Sequence, residues 1–318
     1  RAILVMKASI LIRCLNELDN LKILFPILES QTFKDFEIIF IDSGSTDGSF
    51  EFVKNYKSEI PIILEEIDKS MFSFGRSLNM AANKSTYKDK LISLSAHCFP
   101  TSDKWLEKIL INFETADVEV VYGKQIGNDD SWLSEASHLN MWFGGKSEIK
   151  KSPFANNGNC AFNYKTWDLL KFNEDLTGCE DIDYAQRVMN KGGSIFYSSS
   201  AEVRHYHDEK SNQIRNRYRR EAQALNDIFP DSIKYKLKDL LKSIYNEIKI
   251  DTNYKQKNKN YSNSSLIKIF QYRYNKNLGH FLGINYPIKS NKSIKNKYYS
   301  YEGNKKNVEH FKKDYFYK

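Results

Sequence analysis

A chain of 318 residues with 41% hydrophobic and 14% aromatic content can bury a sizeable core, which excludes wholesale disorder. No apolar run approaches the ~18 residues needed to cross a bilayer, and no secretory leader is recognisable, the RAILV ahead of Met6-Lys7 being set aside as an expression remnant. The formal charge of +8 is unevenly split: residues 208–318 carry 25 Lys+Arg against 11 Asp+Glu, a net +14, which leaves −6 for the rest.

That split predicts an acidic domain over 7–207 and a basic one over 208–318. Within the first, β-rich runs at 9–12, 37–41, 60–67, 91–94 and 118–122 alternate with helical patterns, the signature of a mostly parallel sheet. A helix after Asn16 carries Leu21, Leu24, Ile27 and Leu28. Asp47 is placed to cap a helix bearing Phe50, Val53 and Tyr56. Further helices are expected over 73–83 and over 102–113, the latter with Trp105, Ile109 and Phe113 at core spacing. Past His207 the pattern changes to long helical runs with basic faces at 212–229, 232–249 and 266–282. Residues 252–265 read as a polar loop, and the Lys/Asn/Tyr-rich tail from Ser290 as partly disordered. Cys14, Cys98, Cys160 and Cys179 show no C-x-x-C spacing, so neither a zinc knuckle nor a disulfide framework is indicated, and a reducing cytosol suits them.

Ligands of parallel sheets bind at the carboxyl ends of the strands. Three strand ends there carry polar residues: SILIRCLNE (9–17), EIIFIDSGSTDGS (37–49) and KLISLSAHCFP (90–100). Downstream, GCEDIDYAQRV (178–188) places an acidic pair at a helix start, and VRHYH (203–207) closes a strand. Each has a plain structural reading: an N-cap, a solvated helix start, a histidine filling a strand end, or acidic residues favoured by a helix dipole at ~0.3–1 kcal/mol.

Taken in this order and spacing, the five segments resemble glycosyltransferase family 2, over about 7–207. The resemblance implies a GT-A fold, an α/β Rossmann-like mixed sheet, here followed by a basic helical extension. It also implies an inverting transfer of sugar from a nucleotide-sugar donor. On that pattern Asn16, Glu17, Asp42 and Ser45 hold the nucleoside. Arg76 and Asn79 in FSFGRSLNMA (72–81) match the family's Arg-x-x-Asn element at the diphosphate. Arg13, Cys14 and Leu15 stand where the family usually has proline and a hydroxyl or aromatic residue. Ser95-Ala96-His97 occupies the position of the metal-binding D-x-D, and is similar to a rhamnosyltransferase-type branch of bacterial surface-polysaccharide enzymes. Serine can keep a ribose contact. His97, with His205 and at lower weight His207, is then the candidate metal or phosphate ligand; strand alternation sets both later histidines opposite Tyr206. Imidazole favours Mn²⁺ over Mg²⁺, with weak binding in the absence of nucleotide. Asp181 is the implied general base and Glu180 its neighbour, raising its pKa or orienting the acceptor. Asn157 and Asn159, in NNGNCAFNYKTW (156–167), match the acceptor side.

The expected partners are a nucleotide-sugar donor and a capsule- or lipopolysaccharide-type glycan, free or lipid-linked, at the inner face of the cytoplasmic membrane. The basic helices suit an anionic lipid surface. A catalytically inactive nucleotide-sugar binding module is the alternative raised by the missing D-x-D. A nucleic-acid binder would account for the basic tail and for nothing in 7–207.

Overall fold

The computed structural model describes residues 6–287, apart from 116, 128–130, 206, 208, 231–233 and 262. Tyr206 and the tail from Ser290 thus lie outside the described residues. Strand β1 (Ala8–Cys14) is apolar on both faces because it sits in mid-sheet with a core on either side. Ile10 and Ile12 join one cluster with Phe25, Phe40 and Trp105, while Leu11 joins the other with Leu78, Trp167 and Tyr184.

The remaining strands are β2 (Phe36–Asp42), β3 (Ile62–Glu66), β4 (Lys90–Leu94), β5 (Cys98–Pro100), β6 (Val118–Gly127), β7 (Glu148–Ile149), β8 (Asn159–Asn163) and β9 (Ser194–His205). They form one sheet in the order β3-β2-β1-β4-β8-β6-β9-β5, with β7 paired to β9. The first four are parallel to one another; β8 runs antiparallel to both β4 and β6, and β5 antiparallel to β9. Cys14 pairs with Asp42, and Cys98 with His205, so the ends of β1, β2, β4 and β9 converge on one edge of the sheet.

The helices are α1 (Leu18–Glu29), α2 (Ser49–Asn55), α3 (Phe74–Asn83), α4 (Trp105–Leu110), α5 (Leu133–Phe143), α6 (Tyr164–Leu170), α7 (Glu180–Asn190), α8 (Ser211–Ile228), α9 (Leu237–Lys257) and α10 (Leu266–Asn285). Three expectations are corrected. The N-cap of α2 is Gly48, at φ +94°, one residue past Asp47, whose carboxylate nevertheless accepts from Ser49 N and also from Leu18 N at the start of α1. The helix expected over 102–113 is only Trp105–Leu110, and Phe113 falls in a 3-10 turn. The polar stretch 252–257 is helix, not loop. It is held by a charge pair: Asp251, fully buried, takes Arg273 Nε and Nη2 at 2.7 and 2.5 Å.

In α10, Gly279 and Gly283 lie against the backbone of α8; a Cβ at either would come within 2.3 Å of Arg215 O or Arg219 O. Only glycine lets the two helices approach so closely. The helices dock on the sheet through α5: Arg273 Nη2 donates to Ser134 O (3.0 Å), Trp132 Nε1 to Glu209 O (3.1 Å) and Arg217 Nη2 to Glu135 Oε1 (3.4 Å). The composition shift at 208 falls in the connection between β9 and α8, and we propose it as the domain boundary.

Candidate active site

At the end of β2 the Asp42 carboxylate is buried. Its Oδ1 accepts from Gly44 N (2.9 Å) and Ser45 N (2.7 Å), and its Oδ2 has no partner. Gly44, at φ +89°, makes the turn that brings both N–H groups back onto it. Ser45 Oγ accepts from Asn16 N (2.8 Å), and Asn16 Oδ1 accepts from Thr46 N (2.8 Å), which ties the β1 end to the β2 end. Asn16 holds φ +57°, a left-handed conformation asparagine tolerates and one common at functional turns.

Arg13 connects this edge to α7. Its Nη1 donates to Phe74 O (3.0 Å) and to Glu180 Oε1 (3.2 Å). The same Glu180 oxygen accepts from Asn157 Nδ2 (3.1 Å), while Asn157 N donates to Asp181 Oδ2 (2.9 Å). One residue thus clamps both carboxylates. Cys179, at φ +56°, turns the chain into α7, whose first turn is acidic: Glu180, Asp181 and Asp183. Burial first, and the Glu180 charge second, push the Asp181 carboxyl up to about 7. Asp183 faces elsewhere and pairs with Arg187 (2.8 Å).

Ser95-Ala96-His97 forms the turn between β4 and β5, with Ser95 N on Gly158 O (3.2 Å). Three imidazoles meet beside it. The ring centroids of His97 and His205 are 5.1 Å apart, of His97 and His207 4.9 Å, and of His205 and His207 4.2 Å. Each Nδ1 has an oxygen partner: Glu17 Oε1 (2.8 Å), Gln125 Oε1 (2.6 Å) and Glu135 Oε1 (2.7 Å) respectively. Burial, reinforced by neighbouring positive charge, holds His205 and His207 well below the usual histidine range, as neutral rings. His205 Nε2 is buried without a partner. An orphaned imidazole nitrogen in such a cluster fits a divalent cation if it carries the lone pair, or a phosphate oxygen if it carries the proton.

Of the expected site residues, Asn16, Glu17, Asp42, Ser45, Ser95, His97, His205, Glu180 and Asp181 line these strand and helix ends. Asn79 does not. Its amide donates to Phe172 O (2.9 Å) and Glu174 Oε1 (3.0 Å) and accepts from Trp167 Nε1 (3.1 Å) and Phe172 N (2.9 Å), which uses its whole capacity as a clamp. Asn159 is likewise corrected: at 0% exposure it binds Trp105 Nε1, Lys124 O and Ala201 O, so no acceptor reaches it. Arg76 is tied through Nε to Glu174 (2.9 Å) and through Nη1 to Met71 O (2.9 Å). Gln125 and Glu135 were not anticipated; nothing in their local sequence marks them, since their histidine partners lie on other elements.

This edge, acidic helix start and mixed sheet are the architecture of a GT-A fold. The chain matches the Glycosyl transferase family 2 model over residues 9–174 and belongs to that family. It is 28% identical over 205 residues to the O-antigen chain rhamnosyltransferase WbaN of Salmonella anatum, and 24% over 202 residues to RfbN, of the same description, from Salmonella typhimurium. These alignments cover 61% and 60% of this chain, and 64% and 63% of the relatives' own lengths, just under two thirds. Among solved structures, the mannosyltransferase PcManGT of Pyrobaculum calidifontis, in complex with GDP-Man and Mn²⁺, superposes with TM-score 0.60 at 14% identity, covering 87% of each chain. Residues 1–349 of S. aureus TarS with UDP-GlcNAc give 0.54 at 14% identity, over 87% of this chain and 91% of that one. At such identity the likeness is one of fold.

Proposed function

We propose that the chain is an inverting glycosyltransferase moving a sugar, rhamnose by its relatives, from a nucleotide-sugar donor to a hydroxyl of a bacterial surface glycan of capsule or lipopolysaccharide type. The observation that carries this is the hydrogen-bonded line Arg13–Glu180–Asn157–Asp181, which joins the nucleotide-binding sheet edge to a carboxylate pair. In this reading Asp42 Oδ2, buried and unpartnered, accepts from the nucleoside, and the turn at Asn16 and Ser45 shapes its pocket. Asp181 takes the proton of the acceptor hydroxyl as that oxygen attacks the anomeric carbon. The new C–O bond forms opposite the breaking bond to phosphate, and the nucleoside diphosphate leaves with the electron pair. Asp181 near neutrality is matched to the work, because a general base serves best with a pKa near the operating pH.

His97 and His205 would hold a divalent ion here, and when bound it would neutralise charge on the leaving diphosphate. Among the described residues no helix is long and apolar enough to cross a membrane. Leu237, Leu241 and Tyr245 nonetheless form an exposed row on α9, at 63, 62 and 70% exposure, beside Lys238 and Lys242. That face suits a peripheral contact with anionic lipid at the cytoplasmic side, where a lipid-linked acceptor would be met. Initial rates with dTDP-, UDP- and GDP-linked sugars, and the anomeric configuration of the product by NMR, test the reading. A retained anomeric configuration refutes inversion. Donor binding without any turnover would favour the inactive binding module.

A further inference from the structure

The three histidines carry more than the donor reading asks of them. We propose that His97, His205 and His207 form a nitrogen-only centre for a transition-metal dication of the zinc class, assembled before any nucleotide binds. One ring nitrogen from each lies within 4.8 Å of the other two. A tetrahedral ion with metal–nitrogen bonds of about 2.0–2.1 Å needs nitrogens about 3.3 Å apart, so closing the site takes small ring movements.

The hydrogen bonds choose the ligating nitrogen. Gly158 N and Gln125 Nε2 both donate to Asn156 Oδ1, at 2.9 and 2.7 Å, which fixes the Gln125 amide with its oxygen towards His205. His205 Nδ1 must therefore donate, and the bare lone pair is on Nε2, the buried atom without a partner. Glu135 Oε1 lies 2.7 Å from His207 Nδ1 and also accepts from Arg217 Nη2. His97 Nδ1 faces the Glu17 carboxylate in the same way. An imidazole whose Nδ1–H is held by a carboxylate or amide oxygen, leaving Nε2 to the metal, is the outer-shell arrangement that orients histidine ligands and raises their basicity. Here all three Nδ1 atoms have such an oxygen partner.

Glu135, His207 and Glu209 form a second group within the same radius. Its carboxylates are committed: Arg217 Nε meets both Glu209 oxygens at 3.0 and 2.9 Å, and Arg217 Nη2 meets Glu209 and Glu135. The imidazole set is the one left open. Three neutral nitrogens favour Zn²⁺ and Co²⁺ over Mn²⁺, and Mg²⁺ least, because the first-row affinity order rules once no hard carboxylate is present. This departs from the expectation of Mn²⁺ use and of weak nucleotide-free binding, both of which rested on two histidines without their outer partners. The fourth position stays open for water or a donor phosphate oxygen; only that last ligand depends on the glycosyltransferase reading.

The test uses the full chain, stripped with EDTA and dialysed, with no nucleotide present. Co²⁺ titration is followed by visible absorption, and Zn²⁺, Mn²⁺ and Mg²⁺ by competition with a chromophoric chelator. The expected result is one equivalent of Co²⁺ or Zn²⁺, bound at least ~10-fold more tightly than Mn²⁺. His207→Ala and the more exposed His97→Ala should each abolish stoichiometric binding. Glu17→Gln, which keeps an acceptor and removes the charge, should weaken it about 10-fold, the low end for an outer-shell change. Circular dichroism melts in EDTA check that the variants are folded. No saturable Zn²⁺ or Co²⁺ binding, Mn²⁺ bound as tightly as Zn²⁺, or binding untouched in either folded histidine variant overturns the proposal. Because no donor is present, failure here leaves the transfer reading standing, and failed transfer leaves this one.

Discussion

Replacing Glu180 with glutamine should move the pH profile of transfer while leaving the fold intact. Burial, and then the Glu180 charge, push the Asp181 carboxyl up to about 7. Both carboxylates are held by Asn157, one through its backbone N–H and the other through its side-chain amide. For two charges ~6 Å apart at an effective dielectric of ~20–40, Coulomb's law gives ~1.4–2.8 kcal/mol, or ~1–2 pK units. The sign follows from the role. The base works as a carboxylate, so kcat/KM rises with pH through about 7 in the parent enzyme. Glu180→Gln removes a like charge, stabilises the ionised form, and shifts the rising limb to about pH 5–6. Glutamine keeps an acceptor for Arg13 and Asn157, so melting at pH 8 should change little. The assay is initial rate at subsaturating donor from pH 4.5 to 9. A limb that stays at 7, or a parent profile that is flat between 5 and 8, refutes the assignment.

Asp42→Ala should weaken nucleoside diphosphate binding by about 1.5–3 kcal/mol, the range for hydrogen bonds to a charged group, read by isothermal titration; an unchanged Kd would place the nucleoside elsewhere. Gly283→Ala should cost about 1–3 kcal/mol in denaturant unfolding, because its Cβ would sit 2.3 Å from Arg219 O and 2.8 Å from Ala222 Cβ; a neutral outcome would mean that α8 and α10 separate freely. Leu237→Glu with Leu241→Glu should lower co-sedimentation with anionic liposomes, and equal binding by parent and variant would remove the membrane role. Transfer should fall in EDTA and return with a divalent ion. Full activity in the chelator would mean that transfer needs no bound ion.

The sheet was legible because β1, β2 and β4 are apolar runs ending in polar residues, so both the strands and the edge that matters stand out in one dimension. The acidic start of α7 was legible for the same local reason. What failed was long-range. Asn79 and Asn159 look like ligands in sequence, yet their partners Phe172 and Ala201 lie 93 and 42 residues away. The helix over 252–257 reads as loop because its support is Asp251 on Arg273 rather than an apolar stripe. The histidines could be named singly, but Gln125, Glu135 and Glu17, which set their tautomers, are brought in by pairings that no periodicity encodes.

The measurement closest to the central claim separates binding from chemistry at Asp181. With the donor identified, Asp181→Asn should bind nucleotide-sugar as the parent does, while transfer falls at least ~10²-fold, the scale of losing a positioned general base. Single-turnover rates on the parent and the variant, with donor affinity by titration on the same preparations, give both numbers. Transfer at near the parental rate, with binding unchanged, would contradict the account and pass the role of base to Glu180.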